Sequence, residues 1–524
     1  MAETFYITTA ISYPNGKPHI GHAYEAIAAD VIARFHKAMG REVRFQTGTD
    51  EHGLKMAQKA RELGVTPQEL CDEMSQYFID MCKALNVEYD VFLRTTEPRH
   101  HKASQELWRR MEANGDLYLD RYEGWYSIRD EAYYDESELV AGEGGEKLSP
   151  QGTPVEWTVE ESWFFRLSKY AGPLLALYNE HPEFIQPESR RNEVMRFVEG
   201  GLRDLSVSRT SFDWGVRVPG SENHVMYVWV DALTNYLTGL GFPDETPEMA
   251  RFWPASLHLI GKDIVRFHAV YWPALLMSAG LPLPRQVFGH GFVLARDGAK
   301  MGKSAGNAAD PLALVEKYGV DALRYFLMRE VSFGQDGSWS EEAIVTRCNA
   351  ELANSFGNLA QRVLSMIAKN LDGELPEIDG QGLIDIGTNE PFALVLKNNV
   401  VGNFENLNFT QAIENWVKAI YGRNQFADLK APWTLRKEGK IDEMKEVLGI
   451  LFCTIRDLAI AVRPIIPMAV ANLLDQIGIP DDERDFAALD DLEWYDRLRA
   501  TGFRLAPPTP IFPRLELPAE ETTS

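Results

Sequence analysis

Residues 4–53 read TFYITTAISYPNGKPHIGHAYEAIAADVIARFHKAMGREVRFQTGTDEHG. From residue 4 to 12, Phe5, Ile7, Thr9 and Ile11 alternate with Tyr6, Thr8 and Ala10, the two-residue period of a buried strand. Pro14-Asn15-Gly16 breaks that run. From about His22 to Met39 the spacing turns helical through Ala23, Ile27, Val31 and Phe35, and Gly40 closes the helix. A second strand follows at Val43, Phe45 and Thr47, then Gly48-Thr49-Asp50-Glu51-His52-Gly53 and a helix ending near Gly64. This is a β-α-β unit whose first turn carries His19-Ile20-Gly21-His22, as in the first half of a nucleotide-binding α/β fold. Gly21 permits close backbone approach, and the free amides of a helix start attract an anion. His19 and His22 are three apart, so both imidazoles can face one phosphate; the plainer reading is one capping and one surface histidine.

Outward from this unit, residues about 116–215 change texture. They are rich in Tyr, Trp, Glu and Gly with short strand-like pieces, which fits an α+β insertion between two halves of the sheet. Strands are expected again at 224–231 (HVMYVWVD) and 257–261 (LHLIG), a helix at 264–279 and a further strand at 286–295. Asp297-Gly298 then turns into Lys300-Met301-Gly302-Lys303-Ser304, a loop whose lysines are mobile charges for phosphate or, more plainly, a solvated basic hairpin. Asp310-Pro311 and Asp321-Ala322 read as starts of short helices separated by Gly319. Beyond Ser340 the pattern is helical. Ile344, Cys348, Leu352, Phe356, Leu359 and Val363 form one apolar stripe, and similar stripes near 392–404, 409–428, 441–462 and 467–476 predict a helix bundle.

The chain has 524 residues, 45% of them hydrophobic, enough for several cores and three or four modules. No run of about eighteen apolar residues occurs, so no membrane span is expected. Residues 1–11 (MAETFYITTAI) carry neither a basic segment nor an apolar signal core, which reads as cytoplasmic. Cys71, Cys82, Cys348 and Cys453 lack the paired spacing of a zinc site and are expected to be reduced and buried. The net charge of −24 excludes a protein that coats nucleic acid indiscriminately, but it permits a local basic track.

The turn at 19–22 and the lysine loop at 300–304, in this order and setting, resemble the two signatures of class I aminoacyl-tRNA synthetases. Gly261-Lys262-Asp263 followed by His268, and Tyr227-Val228-Trp229-Val230-Asp231-Ala232 followed by Tyr236, narrow the resemblance to methionyl-tRNA synthetases, as do Asn358, Arg362 and Ala431-Pro432-Trp433. The resemblance implies a Rossmann-type parallel-sheet catalytic domain (1–115 and 216–295) split by a connective insertion (116–215). A lysine-motif and stem-contact region (296–340), an all-α anticodon-binding bundle (341–505) and a tail (506–524) follow. It implies His19, His22, Lys300 and Lys303 as catalytic residues, with Gly21, Gly261, Asp263 and Lys303 on ATP. For methionine it implies Ile11, Tyr13, Asp50, Trp229, Ala232, Tyr236, Ile264, His268 and Trp272. Aromatic walls suit a flexible thioether, and Asp50 suits the ammonium. Asn358, Arg362 and Trp433 would read the anticodon, by base-edge hydrogen bonds and stacking.

The reaction so implied is ligation of L-methionine to tRNA(Met), initiator included, through a methionyl-adenylate, with ATP and Mg2+ as the substrate complex. No C-terminal extension resembling the tRNA-binding module of dimeric relatives is visible, so a monomer is expected. Three departures stand out. Gly302 replaces a usual Ser, and Leu233 a usual Pro. Ser127 and Asp130 stand where many relatives have a cysteine pair, so no structural zinc is expected. Two other readings stay open. A class I enzyme for isoleucine, leucine, valine or cysteine is disfavoured by the missing editing insertion and zinc-site cysteines. A non-catalytic tRNA-binding scaffold is disfavoured by the presence of His19, His22 and Lys303.

Overall fold

Strand β1 (Thr4–Thr9) lies inside a six-stranded parallel sheet. On one side stand β2 (Glu42–Thr49) and β3 (Val91–Arg94); on the other stand Leu257–Gly261, Val287–His290 and, at the edge, Ile185–Gln186. The computed structural model describes residues 3–130, 132–142, 145–295, 298, 309–379, 381–384 and 388–517. Both faces of β1 are covered: Tyr6, Ile7, Thr8 and Thr9 are all buried, as expected of a strand with helices on each side of its sheet. Strand order reverses between β1 and Leu257–Gly261, the topological switch where open α/β sheets bind ligands beyond their carboxyl ends.

Helix α1 (Ile20–Ala38) follows β1 and is enclosed on nearly all sides. One face packs on the sheet. The other meets the C-terminal helices, where Phe35 stacks on Phe404 at 5.3 Å between ring centroids. The insertion is built on antiparallel strands Leu117–Ser127 and Glu156–Phe165. Within the stretch read as insertion, Ile185–Gln186 returns to the main sheet and pairs with Val287–Phe288.

Three elements differ from the expected ones. The strand at 224–231 is only Val225–Met226, and Val228–Thr238 is a helix. Val-Trp-Val favours strand locally, but a short buried apolar run cannot be told from a buried helix by its period. The strand at 286–295 splits into Val287–His290 in the main sheet and Val293–Leu294, which pairs with Gly337–Ser338. The chain crosses another segment at the break: a Cβ on Gly291 would lie 2.0 Å from the Gln335 carbonyl oxygen. Asp321 does not start its helix. Val320–Glu330 is capped by Gly319, and the Asp321 carboxylate accepts from the Ala469 amide at 2.5 Å.

The helix expected at 264–279 is present in three pieces, with a wide turn at Phe267–Tyr271 before Trp272–Ser278. Pro273 has no N–H to give the Ala269 carbonyl four residues back, and the Tyr178 hydroxyl donates there instead, at 2.6 Å. The C-terminal bundle follows the stripes closely, in helices Phe392–Glu405, Phe409–Lys430, Ile441–Val462 and Pro467–Gln476. All four cysteines are buried thiols. No helix among the described residues is long and apolar enough to cross a membrane.

Candidate active site

A cavity of about 570 Å³ opens at the switch point, between the ends of β1 and Leu257–Gly261. Of the residues singled out from sequence, Ile11, Tyr13, His19, Gly21, His22, Asp50, Trp229, Gly261, Asp263 and Ile264 border it. Ala232, Tyr236, His268 and Trp272 are buried in the layer behind that wall. Lys300 and Lys303 lie outside the described residues.

The histidine turn is a reciprocal cap. His19 is the N-cap of α1, and its Nδ1 accepts from the Gly21 amide at 3.0 Å. His22, at the third helical position, accepts the His19 amide on its own Nδ1 at 3.1 Å. The ring centroids are 4.0 Å apart. With Nδ1 of each ring accepting a backbone proton, each neutral imidazole carries its hydrogen on Nε2 and becomes a donor. A Cβ on residue 21 would sit 2.8 Å from His19 Cε1, so glycine there makes room for the ring.

One wall of the cavity is aromatic. Trp229 stacks on Phe267 with centroids 3.8 Å apart and planes 5° from parallel. Behind it, His268 Nδ1 lies 3.0 Å from the Ile264 carbonyl oxygen, and its Nε2 lies 2.6 Å from the Tyr236 hydroxyl. A carbonyl only accepts, so Nδ1 holds the proton and the Tyr236 O–H donates to Nε2. Burial pushes the His268 imidazole down to about 4, which keeps the ring uncharged at neutral pH. His258 is fixed the same way: Trp272 Nε1 donates to its Nε2 at 3.3 Å and its Nδ1 meets Thr8 Oγ1 at 2.7 Å.

These buried imidazoles give a pH expectation. Burial lowers His268 and His101 to about 4 and His36 to about 3, from an ordinary 6.5. The unfolded chain therefore binds protons that the native one refuses. The stability these groups contribute is complete above about pH 6.5 and is lost as pH falls toward 4, and for His36 toward 3. Calorimetry should give a melting temperature at pH 5 clearly below that at pH 7; equal values would contradict the assignment.

Several cavity residues were not singled out in the sequence. Glu25 lies three residues after His22 on the same helix face, a signal present but unused. Its Oε2 sits 2.8 Å from His290 Nε2, while His290 Nδ1 donates to the Gly291 carbonyl at 2.8 Å. Burial raises the Glu25 carboxyl. For His290 burial works the other way, but Glu25 and the Gly291 carbonyl overcome it and raise the imidazole. From the insertion, Arg129, Asp130, Gln151 and Thr153 also border the cavity. Asp130 Oδ2 accepts from Thr153 Oγ1 at 2.5 Å, Ser149 Oγ at 2.6 Å and Tyr134 OH at 3.0 Å. Ser127 Oγ meets Thr153 Oγ1 at 2.7 Å. At the two positions compared with the cysteine pair of relatives, a carboxylate and hydroxyls thus tie the insertion tip together. Among the described residues no cluster of His, Cys, Asp and Glu is arranged to hold a metal.

The remaining sequence candidates lie in the helical region. Arg362 places its guanidinium 4.4 Å from the Trp433 ring centroid and donates to Asp428 at 3.1 Å. Asn358, one turn earlier on the same helix, borders a cavity of about 370 Å³ closed by Pro510, Ile511 and Phe512.

A family model described as tRNA synthetases class I (M) matches residues 5–364. The chain belongs to the class I tRNA synthetases, methionyl branch. It is similar to the methionine–tRNA ligase of Rhizobium meliloti (strain 1021), 54% identical over 520 residues and 98% of each chain. The methionine–tRNA ligase of Mycobacterium tuberculosis (strain ATCC 25618 / H37Rv) is 53% identical over 519 residues, again 98% of each. Crystallographic likeness is equally extensive. Mycobacterium tuberculosis methionyl-tRNA synthetase bound by methionyl-adenylate superposes with a TM-score of 0.91 at 51% identity, covering 98% of this chain and 100% of that one. Its apo form superposes with a TM-score of 0.85 at 48% identity, covering 99% of each. This class I synthetase is accordingly an ATP-using ligase, and its parallel sheet with a following helical region is the architecture of those structures.

Proposed function

We propose that this synthetase ligates L-methionine to tRNA(Met) in the cavity between the two sheet halves. The methionine carboxylate attacks the α-phosphorus of ATP and expels pyrophosphate, leaving methionyl-adenylate. A terminal ribose hydroxyl of the tRNA then attacks the activated carbonyl and releases AMP. Neither step needs a covalent enzyme intermediate, so catalysis is positioning and stabilisation of phosphate charge. ATP enters as its Mg2+ complex. His19 and His22 donate through Nε2 to phosphate oxygens, Lys300 and Lys303 add mobile positive charge, and Gly21 and Gly261 allow close approach. Asp263 accepts from ribose hydroxyls. Asp50 takes the ammonium, while Ile11, Tyr13, Trp229 and Ile264 enclose the side chain. Ala232, Tyr236, His268 and Trp272 support that wall from behind.

The observation that carries this reading is the reciprocal histidine cap, which turns both Nε2 protons into donors in the cavity that also holds Asp50 and Trp229. ATP–pyrophosphate exchange across the twenty amino acids tests it: methionine should drive exchange far above the others. Exchange driven by another amino acid, or by none, would overturn it.

The helical region serves as the anticodon reader, with Asn358 and Arg362 on base edges and Trp433 as a stacking platform. Replacing Trp433 with alanine should lower kcat/KM for tRNA about 5- to 150-fold, the worth of one base–aromatic stack. Exchange without tRNA should not change. Equal loss in both assays would remove Trp433 from tRNA reading.

A further inference from the structure

Deep behind the methionine wall lies a charged cluster with no part in the steps above. Asp231, on helix Val228–Thr238, is fully buried. Its Oδ2 accepts from His52 Nδ1 and its Oδ1 from His100 Nε2, each at 2.6 Å. Burial opposes the charge, yet the two imidazoles overcome it and hold the Asp231 carboxyl well below the ordinary carboxylate range. A buried carboxylate so fully engaged is costly to disturb, because truncating one partner leaves the other's charge or proton without a mate.

The position of the cluster suggests its use. His52 stands two residues after Asp50, on the loop that leaves β2. That loop is held on its outer side: Arg94 binds Glu51 at 2.7 and 3.0 Å, and Trp214 Nε1 donates to the Glu51 carbonyl at 2.6 Å. Its inner side meets the substrate wall. The Tyr13 hydroxyl donates to the His52 carbonyl at 3.0 Å, and the His52 ring reaches across to Asp231. Asp231 is two residues from Trp229 and adjacent to Ala232. The His52–Asp231 contact therefore spans from the strand-end loop with Asp50, in the first half of the sheet, to the helix with Trp229, in the second.

We propose that Asp231 and His52 are positioning residues for amino-acid recognition. Their bond sets the spacing between the carboxylate that takes the substrate ammonium and the aromatic wall that takes its side chain. The inference rests on the functional reading given above. The His100 arm runs the other way, to helix Pro98–Ala113, and to Thr238 at 2.9 Å through Nδ1. It anchors Asp231 without touching the substrate loop.

Near-isosteric variants separate this role from general stability. An asparagine amide stands close to imidazole Nδ1, and a glutamine amide close to Nε2. His52→Asn should therefore keep the donor to Asp231, whereas His52→Gln and His52→Ala should lose it. In ATP–pyrophosphate exchange, H52Q and H52A should raise KM for methionine about tenfold or more, the scale of a lost hydrogen bond to a charged group. KM for ATP should stay within about twofold, and H52N should remain within about threefold of wild type on both substrates. His100→Gln, which keeps the Nε2 donor, should melt lower with KM for methionine unchanged. The tie is refuted if H52Q binds methionine as wild type does. It is equally refuted if the two KM values rise together, or if H52N fails as badly as H52Q. Wild-type exchange is measured alongside. If it ignores methionine, the functional reading falls and the proposal with it; if it depends on methionine and H52Q is normal, only the positioning role falls.

Discussion

Replacing His22 with alanine lowers the rate of methionyl-adenylate formation by about 10²- to 10³-fold, the usual effect of removing one preorganised donor from developing oxyanion charge. KM for methionine moves little, because the proposed role of the lost group is toward phosphate and not toward the amino acid. The ring has two jobs in this structure. Nδ1 accepts the His19 amide and closes the cap, and the ring borders the cavity. The cap alone is worth about 0.5–2 kcal/mol of helix stability. His22→Asn separates the two jobs, since the asparagine carbonyl can still accept the His19 amide but offers nothing where Nε2 stood. Rapid-quench measurement of adenylate should find H22N nearly as slow as H22A, with a melting temperature nearer wild type. An H22N enzyme of normal rate would show that the ring serves the helix and not the phosphates.

The parts of the fold legible in sequence are those with a local period or a local cap. The β1-α1-β2 unit was readable because alternation, a Pro-Asn-Gly break and a helical stripe follow one another within fifty residues. The three-residue spacing of His19 and His22 already matches an N-cap and its third helical partner. The bundle helices were readable because each carries a long stripe. What stayed hidden depends on contacts far apart in the chain. Val228–Thr238 is a helix because its surroundings bury it all round, which overrides the strand preference of Val-Trp-Val. The depth of Tyr236 and His268 behind Trp229 has no counterpart in spacing. Glu25 and His290 meet only because α1 and Val287–His290 end at the same cavity. Edge strand Ile185–Gln186 is too short to have a period.

Arg324→Met destabilises the protein by about 3–5 kcal/mol, because it strands several buried carbonyls that the guanidinium satisfies. Arg324 is fully buried. It donates to Asp30 at 2.7 Å, to the carbonyls of Ile465 and Pro464 at 2.9 and 3.0 Å, and to that of Leu85 at 3.1 Å. Asp30 belongs to α1, Leu85 ends the helix Pro67–Ala84, and Pro464 and Ile465 follow the long helix Ile441–Val462. One guanidinium thus joins the histidine-bearing helix of the catalytic half to the bundle that carries Trp433. Methionine preserves much of the volume but strands these carbonyls, each at about 1–3 kcal/mol if no water replaces the donor. Asp30 keeps Arg34 and the Glu88 amide, so the loss falls mainly on the link between domains. On the proposed reading, adenylate formation needs only the catalytic half, whereas charging tRNA also needs the helical region assigned to the anticodon held at a set distance from it. Aminoacylation should therefore fall more than ATP–pyrophosphate exchange, below the variant's melting point. Arg324→Lys, which keeps the charge on Asp30 but cannot serve all the carbonyls, should recover only part of the stability. A parallel decline of both activities would mean that Arg324 holds the catalytic half alone.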